Sequence, residues 1–283
     1  FRTLYTKLEH SDIKTALSSV IRLAFRHSKC KLLAIYKNNF GWVNKTRDGT
    51  FAFTAESLIE ALEFLIDNCY FTLGDMILRQ IIGVPIGVDP GPFIANLTLW
   101  FFENKYLENL YKRDYASARA LNKTFRLIDD ITAINSDGVF QEHFSRIYPD
   151  SLKLNKENVL DSAAHVLDLN LKIVNDRFEV SLYDKREDFP FRIVQFGPVN
   201  SNIPRNSLYG VFRSQIIRYF RICSKCDGFM DRVKGLSTNF IDLGYDLKLL
   251  RSSFDRMLNR YKFWEKFPDC TAEFCNLFFK HFE

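Results

Sequence analysis

Apolar residues recur at helical spacing along much of the chain. They stand three and four residues apart in residues 11–26 and again in 56–69, which is the period of an amphipathic helix. A long helix is predicted for residues 93–111. The same pattern predicts further helices at 208–223, 228–236 and 243–263. The last third of the chain is therefore expected to be helical.

Shorter apolar runs between these helices predict strands. Residues 71–84 have strand character around a turn at Gly74–Asp75, and residues 125–135 fit a strand, a tight turn and a second strand. Residues 31–43 fit a strand pair or an irregular crossing. Further strands are predicted at 152–154, 166–173 and 178–183. A mixed part would thus precede the helical part, with the boundary expected within 189–204.

The composition is that of a globular protein, with 47% hydrophobic and 26% charged residues among 283. No uninterrupted apolar run approaches the ~18 residues that a membrane-spanning helix needs. No signal peptide is visible at the start. We therefore expect an intracellular protein with no membrane partner. The opening FRTLYT lacks an initiating Met and indicates a piece of a longer protein.

The net charge of +5 is concentrated in the C-terminal third. Eleven basic residues lie between Arg205 and Lys266: Arg213, Arg218, Arg221, Lys225, Arg232, Lys234, Lys248, Arg251, Arg256, Arg260 and Lys262. Only six acidic residues oppose them there. Such a basic segment suits contact with a phosphate backbone, although it would equally fit a set of solvated helix faces.

The six cysteines show no disulfide framework, and a chain of this length does not need one. Cys223 and Cys226 form a single CxxC in a predicted helix. A structural zinc site would need a second pair, and Cys270 and Cys275 are candidates with a poor spacing. Buried free thiols are the default expectation, with zinc as the alternative.

Two adjacent carboxylates, Asp129 and Asp130, lie at the turn predicted within residues 125–135. Apolar residues flank them on both sides, and carboxylates beside buried strands are costly unless a charge neutralises them. Mg²⁺ takes such oxygen ligands together with phosphate oxygens of a substrate. Two such ions about 4 Å apart can activate a hydroxyl and stabilise a leaving pyrophosphate. An acidic turn exposed to solvent is the alternative.

A loop rich in glycine and proline precedes the long predicted helix. It spans residues 83–92, and its glycines would let the backbone approach a ligand closely while its prolines stiffen it. Such a loop could lie under a base pair or a nucleotide. Read alone, it also fits an ordinary connection between a strand and a helix.

The order and spacing of these two features resemble those of reverse transcriptases. The loop resembles the pattern G-x-P-x-G-x-x-x-[small]-P-x-x-A-N of that family, and the acidic pair resembles its x-D-D box. The matching loop residues are Gly83, Pro85, Gly87, Gly91, Pro92, Ala95 and Asn96. Residues 166–169 are similar to the family's primer-holding hairpin. The segments 182–189, 201–204 and 209–219 most resemble the Penelope-like retroelement branch, which is related to telomerase.

The first residues resemble the end of the family's first catalytic motif, D-F-[ST]-T-L-Y-T. The resemblance places the catalytic aspartate of that motif directly before Phe1. Tyr5 would then be the aromatic steric gate, which crowds the 2′-hydroxyl of a ribonucleotide and so favours deoxynucleotides. Taken alone, Tyr5 fits a half-buried tyrosine at the end of a strand.

The resemblance implies an α+β fold, with a polymerase palm (an antiparallel sheet with flanking helices) in residues 1–190 and a helical thumb in 191–283. The implied activity is RNA-directed DNA polymerisation with two Mg²⁺ or Mn²⁺ ions held by Asp129 and Asp130. Pro85, Gly87 and Gly91 would lie against the nascent base pair. The implied phosphate contacts of the thumb are Arg205, Arg213, Arg218 and Arg221. The partners would be an RNA template, a DNA primer and deoxynucleoside triphosphates, in the nucleus.

Three departures from the family pattern bear on activity. The third metal-binding carboxylate and the fingers strands are not in this sequence, so a fingers segment or ribonucleoprotein partners would have to complete the site. Asn155, between Lys153 and Lys156, stands where the family often has a lysine thought to protonate pyrophosphate. The alternative function is therefore an inactive reverse-transcriptase-like fold that serves as a nucleic-acid-binding or ribonucleoprotein scaffold.

Overall fold

The computed structural model describes residues 4–85, 87–136, 138–191 and 193–268. The chain divides into two compact units, Phe1–Asn155 and Lys156–Glu283. Both combine helices with small antiparallel sheets, so the predicted α+β class is confirmed. Within the described ranges, no helix is both long enough and apolar enough to cross a bilayer.

The first unit is built from helices around three small antiparallel sheets. Its helices are α1 (Leu4–Lys7), α2 (His10–Ser28), α3 (Ala55–Asp67), α4 (Gly91–Arg113), α5 (Tyr115–Leu121) and α6 (Val139–Ile147). Its strands are β1 (Leu32–Ile35), β2 (Phe40–Val43), β3 (Phe51–Phe53), β4 (Tyr70–Leu73), β5 (Met76–Arg79), β6 (Thr124–Leu127) and β7 (Asp130–Ala133). The first three strands form one sheet in the order β2-β1-β3, and β4–β5 and β6–β7 are separate hairpins.

The core of the first unit lies between α2 and α4. Ile13 and Leu17 of α2 stand four residues apart and face Ile94 and Leu99 of α4, all of them buried. This face explains why the apolar period predicted both helices. The helix α3 begins with a capping box in which the side chains of Thr54 and Ser57 each accept a backbone N–H.

The second unit is a three-stranded antiparallel sheet followed by helices. Its elements are β8 (Ala163–Val166), β9 (Leu169–Val174), β10 (Arg177–Leu182), a short 3-10 helix (Lys185–Asp188), α7 (Arg205–Ile222), α8 (Cys226–Asp242), α9 (Leu247–Arg260) and α10 (Phe263–Lys266). The sheet order is β10-β9-β8. Five phenylalanines are almost fully buried in its core: Phe212, Phe229, Phe240, Phe254 and Phe263.

The division of the chain lies earlier than the boundary expected near residue 190. The strand β10 packs on the helices because Leu182 is buried in their core. The backbone N–H of Ser224 donates to the Val180 carbonyl at 2.8 Å, and the Val180 N–H donates to Ser224 Oγ at 2.9 Å. These contacts join the sheet β8–β10 to the helices of its own unit, so the strands belong with the helical part.

Other local predictions differ from the structure for identifiable reasons. No strand forms at residues 152–154, because the N–H of the buried Leu152 closes a turn onto the Pro149 carbonyl at 2.9 Å. The strand predicted at 166–173 is interrupted by a turn at Leu167–Asp168. The helix α5 was not expected from the apolar pattern, and Asp114 caps it by accepting the Ser117 N–H at 3.1 Å.

The cysteines correct one expectation. Cys223 is a buried free thiol, and burial raises its pKa. Cys226 is disulfide-bonded, so the expectation of a free thiol there is wrong. Cys270 and Cys275 lie outside the described residues.

Candidate catalytic site

The acidic pair lies at the tip of the β6–β7 hairpin. Leu127 pairs with Asp130, which leaves Ile128 and Asp129 as a two-residue turn. Asp129 is half-buried and Asp130 is exposed. Ile128 has a φ of 56°, a left-handed conformation that costs a β-branched residue about 1–3 kcal/mol. The fold therefore imposes a strained backbone directly before Asp129.

Packing and a hydrogen bond hold that strained residue in place. The Ile128 side chain packs against the core of the first unit, as does Ile131 on the following strand. The Ile128 carbonyl accepts a hydrogen bond from Arg126 Nη1 at 3.2 Å. Strain of this kind persists only where surrounding contacts outweigh it, and it is common at functional sites.

Arg126 connects the hairpin to the long helix α4. Its Nε donates to Glu103 Oε1 at 2.5 Å and its Nη2 to Glu103 Oε2 at 3.0 Å, a bidentate ion pair. The Arg126 side chain is only 9% exposed and that of Glu103 22%. The Tyr148 hydroxyl also donates to Glu103 Oε1, at 2.7 Å. Burial, reinforced by the Glu103 charge, raises the pKa of Tyr148, so this hydroxyl remains a donor.

Asn96, the last residue of the loop motif, joins the same network. Its Oδ1 accepts a hydrogen bond from Arg126 Nη1 at 2.6 Å. The loop motif and the acidic hairpin are thus tied together through one guanidinium. Three residues of this network were not predicted from the sequence, namely Arg126, Glu103 and Tyr148. A signal was present, because Glu103 is a lone acid after the Trp-Phe-Phe run and Arg126 interrupts an apolar strand.

The first glycine of the loop packs against the N-terminal segment. The Gly83 N–H donates to the Leu8 carbonyl at 2.7 Å, and the Val84 N–H donates to the Tyr5 carbonyl at 2.8 Å. A Cβ at Gly83 would lie 2.2 Å from the Tyr5 carbonyl oxygen, and φ there is +84°. Only glycine fits this position without displacing the segment that contains Tyr5.

The other two glycines of the motif have different surroundings. Gly91 is buried at the start of α4, and a Cβ there would lie 2.7 Å from the Pro85 carbonyl oxygen. Gly87 has a φ of +96°, and a Cβ there would meet nothing within 4 Å. Gly83 and Gly91 therefore serve packing, whereas Gly87 faces open space that a ligand could occupy. Ile86 lies outside the described residues.

Tyr5 lies beside the acidic hairpin. It belongs to α1 rather than to the end of a strand, which corrects the simple structural expectation for this residue. Burial raises its pKa, and the negative charge of Asp129 raises it further. Tyr5 also packs against the same core as Ile128 and Val84. The N-terminal segment, the loop and the hairpin are thus brought together in one packed unit.

The acidic pair supplies the kind of donor that Mg²⁺ and Mn²⁺ take, namely carboxylate oxygens. Among the described residues, no group of three or more His, Cys, Asp or Glu side chains could hold a metal ion. Two carboxylates fit an ion that keeps several waters and also takes phosphate oxygens of a substrate. The donor set is therefore of the chemical kind that Mg²⁺ takes.

The lysine region that follows the hairpin has no strand to position it. Lys153 and Asn155 are exposed, and Lys156 pairs with Asp161 at 2.8 Å in the second unit. The structure therefore gives no position here for a lysine that would protonate a leaving group.

The four arginines expected to contact phosphates all lie on α7. Arg205 and Arg221 are exposed, whereas Arg213 and Arg218 are half-buried. At about 100° per residue, they are spread over more than one face of the helix. Arg218 is paired with Asp168, with Nη2 and Oδ2 2.9 Å apart. The structure thus places Arg218 at the turn of the β8–β9 hairpin, not in a common line with the others.

Comparisons with known proteins do not supply a family. No protein-family model, no curated protein and no solved structure matches the chain. The resemblance to reverse transcriptases stays a prediction, and function has to be inferred from the chain's own residues and their geometry.

Proposed function

We propose that this chain is the palm and thumb of an RNA-directed DNA polymerase that adds deoxynucleotides to a primer 3′-end. One observation carries the proposal. Three separate sequence features, namely the segment with Tyr5, the glycine loop and the Asp129–Asp130 turn, pack against one core in the first unit. Their combination suits nucleotidyl transfer better than any one of them does.

In this proposal Asp129 and Asp130 would hold the divalent ions. Mg²⁺ or Mn²⁺, when bound, lowers the pKa of the attacking hydroxyl and stabilises charge on the leaving pyrophosphate. The 3′-oxygen of the primer forms a bond to the α-phosphorus of the nucleotide, and the bond to pyrophosphate breaks. Asp129 is the central ligand, because the anchored turn fixes its backbone.

Tyr5 and Gly87 would shape the nucleotide site. The Tyr5 ring, beside Asp129, would meet the sugar and exclude a 2′-hydroxyl. The open space at Gly87 would let the loop backbone lie against the nascent base pair. The helices of the second unit would act as the thumb, with Arg205, Arg213 and Arg221 near the duplex phosphates, where they would read shape rather than sequence.

Primer extension tests the proposal. The purified chain is given an RNA template, a DNA primer, all four deoxynucleotides and Mg²⁺ or Mn²⁺. Extension is expected, and Asp129→Asn is expected to slow it about a thousandfold because the variant lacks a charged metal ligand. Asp75→Asn, at the exposed turn of the β4–β5 hairpin, is the matched control and should extend normally.

Two results would contradict the proposal. Extension by Asp129→Asn at a rate close to that of the unchanged chain would show that the acidic pair takes no part in the chemistry. The absence of extension by the chain, even when it is extended N-terminally by the motif aspartate, would also reject the polymerase. Tight, salt-sensitive duplex binding in that case would identify a nucleic-acid-binding scaffold.

A further inference from the structure

A polar cavity of about 290 Å³ lies in the second unit, beside the turn of the β8–β9 hairpin. Its walls come from that turn, from the segment after β10 and from α7. Its charged lining residues are Asp168, Asp184, Lys185, Arg186 and Arg218. Cations therefore exceed carboxylates by one, and the cavity as a whole favours an anion.

The two arginines are held in position but keep donors to spare. Arg218 donates from Nε at 3.1 Å and from Nη2 at 2.9 Å to Asp168 Oδ2. Arg186 donates from Nε to Asp184 Oδ1 at 2.7 Å and pairs with Asp184 Oδ2 through Nη2. Among the described residues these pairs leave the Nη1 group of each guanidinium available to another acceptor. Guanidinium groups fixed in this way are well suited to phosphate oxygens.

Tyr219 adds a hydroxyl group to the residues that line the cavity. Tyr219 is only 6% exposed, and it lies on α7 among the residues that line the cavity. Burial raises its pKa, so at neutral pH it is protonated and able to donate. The carboxamides of Gln195 and Gln215 also line the cavity. These side chains carry hydroxyl and amide donors whose hydrogen bonds phosphate oxygens can accept.

We propose that this cavity binds a phosphate monoester. The donors are two guanidinium Nη1 groups, the Lys185 ammonium, two carboxamides and the Tyr219 hydroxyl, which together suit a ligand with three acceptor oxygens and a double negative charge. The volume also leaves room for part of the attached sugar. The ligand is either a free nucleotide or the terminal phosphate of a nucleic-acid strand. The site uses none of the residues of the proposed polymerase centre, so each proposal can fail without the other.

The test compares ligands that differ only in the phosphate. A nucleoside 5′-monophosphate and its unphosphorylated nucleoside are titrated by ³¹P and proton NMR. A single-stranded DNA with a 5′-phosphate and the same strand with a 5′-hydroxyl are titrated by fluorescence anisotropy. Phosphorylation is expected to tighten binding about tenfold or more, the effect of one or two charge-assisted hydrogen bonds. If the 5′-phosphate tightens binding of the DNA strand tenfold, the ligand is a strand end. If it tightens binding only of the nucleoside, the ligand is a free nucleotide.

Variants separate a binding site from a structural ion pair. Arg218→Gln and Tyr219→Phe should each reduce the phosphate preference about tenfold. Asp168→Asn should keep or increase it, because that change releases the guanidinium of Arg218 from its carboxylate. Lys172→Gln, an exposed change in β9 outside the cavity, is the matched control.

The proposal is overturned if phosphorylation changes neither affinity. It is also overturned if Asp168→Asn loses the preference as fully as Arg218→Gln does while both proteins stay folded by circular dichroism. The second result would mean that the pair only supports the hairpin.

Discussion

The two units contain hairpin turns of the same local design that are held in opposite ways. In β6–β7 the turn is Ile128–Asp129, and in β8–β9 it is Leu167–Asp168. Each has an aliphatic residue at positive φ, 56° and 57°, followed by an aspartate. In the second unit an arginine binds the turn aspartate itself. In the first unit Arg126 binds the turn backbone and the carboxylate of Glu103 on a neighbouring helix.

The surroundings of the aliphatic residue differ as well. Ile128 packs against the core, whereas Leu167 is 51% exposed. The first turn is thus held by contacts of its backbone and of its apolar side chain. The second turn is held through the carboxylate of Asp168, which accepts from Arg218. The first arrangement restrains the backbone before Asp129, while the second restrains Asp168 through its own carboxylate.

The largest expected difference between the turns is catalytic. Asp129→Asn should reduce primer extension by about a thousandfold, because metal stabilisation of the transition state is worth several kcal/mol. Asp168→Asn should change the rate by no more than about fivefold, since its ion pair is worth about 1 kcal/mol or less. Single-turnover extension rates at saturating nucleotide measure both. Equal losses in the two variants would mean that the turns do not differ in role.

The next difference concerns the stability of the two anchors. Glu103→Gln leaves the guanidinium of Arg126, which is 9% exposed, without its charged partner, and should lower the free energy of unfolding by about 3 kcal/mol. Urea denaturation measures the change. Glu108→Gln, at an exposed position on the same helix, is the control and should change it by less than about 0.5 kcal/mol. A small effect of Glu103→Gln would show that the hairpin does not depend on this pair.

Glycine substitution at Ile128 and at Leu167 should change the free energy of unfolding in opposite directions. Leu167→Gly relieves positive φ at an exposed residue and should raise the free energy of unfolding by about 1 kcal/mol. Ile128→Gly relieves the same strain but removes a side chain from the core, so a net loss of about 1 kcal/mol is expected. Chemical denaturation of both variants measures whether the free energy of unfolding rises or falls in each. A gain in Ile128→Gly would mean that strain outweighs packing at the candidate site.

The elements predicted correctly are those whose apolar residues repeat at a regular spacing within the element itself. The apolar faces of α2, α4 and α7 were visible because residues such as Ile13 and Leu17 repeat at the helical period. The two-residue turn at Ile128–Asp129 lies within the predicted strand-turn-strand segment. By contrast, the packing of β10 against α7 and α8 was not predicted, because it depends on contacts distant in sequence, such as that between Ser224 and Val180.

The candidate site was predicted only as separate pieces. Motif spacing marked Asp129, Gly87 and Tyr5, but the packing of Tyr5, Val84 and Ile128 against one core could not be read from it. The Arg126–Glu103 pair could not be read from spacing, since the two residues lie 23 positions apart on a strand and a helix. The cavity beside Tyr219 was missed for the same reason, because three distant segments line it.

The smallest difference expected between the two anchors is their response to salt. The Arg218 and Asp168 side chains are 41% and 42% exposed, so solvent screens their interaction and the pair should contribute about 1 kcal/mol or less. That contribution should decrease further at 1 M salt, where the Debye length is about 3 Å. The Arg126–Glu103 pair is shielded by the protein, so the cost of Glu103→Gln should change little over the same range. Denaturation of Asp168→Asn and Glu103→Gln at low and high salt measures both dependences. Equal salt sensitivity would mean that the two guanidinium groups are equally solvated, and the contrast between backbone anchoring and carboxylate anchoring would lose its electrostatic basis.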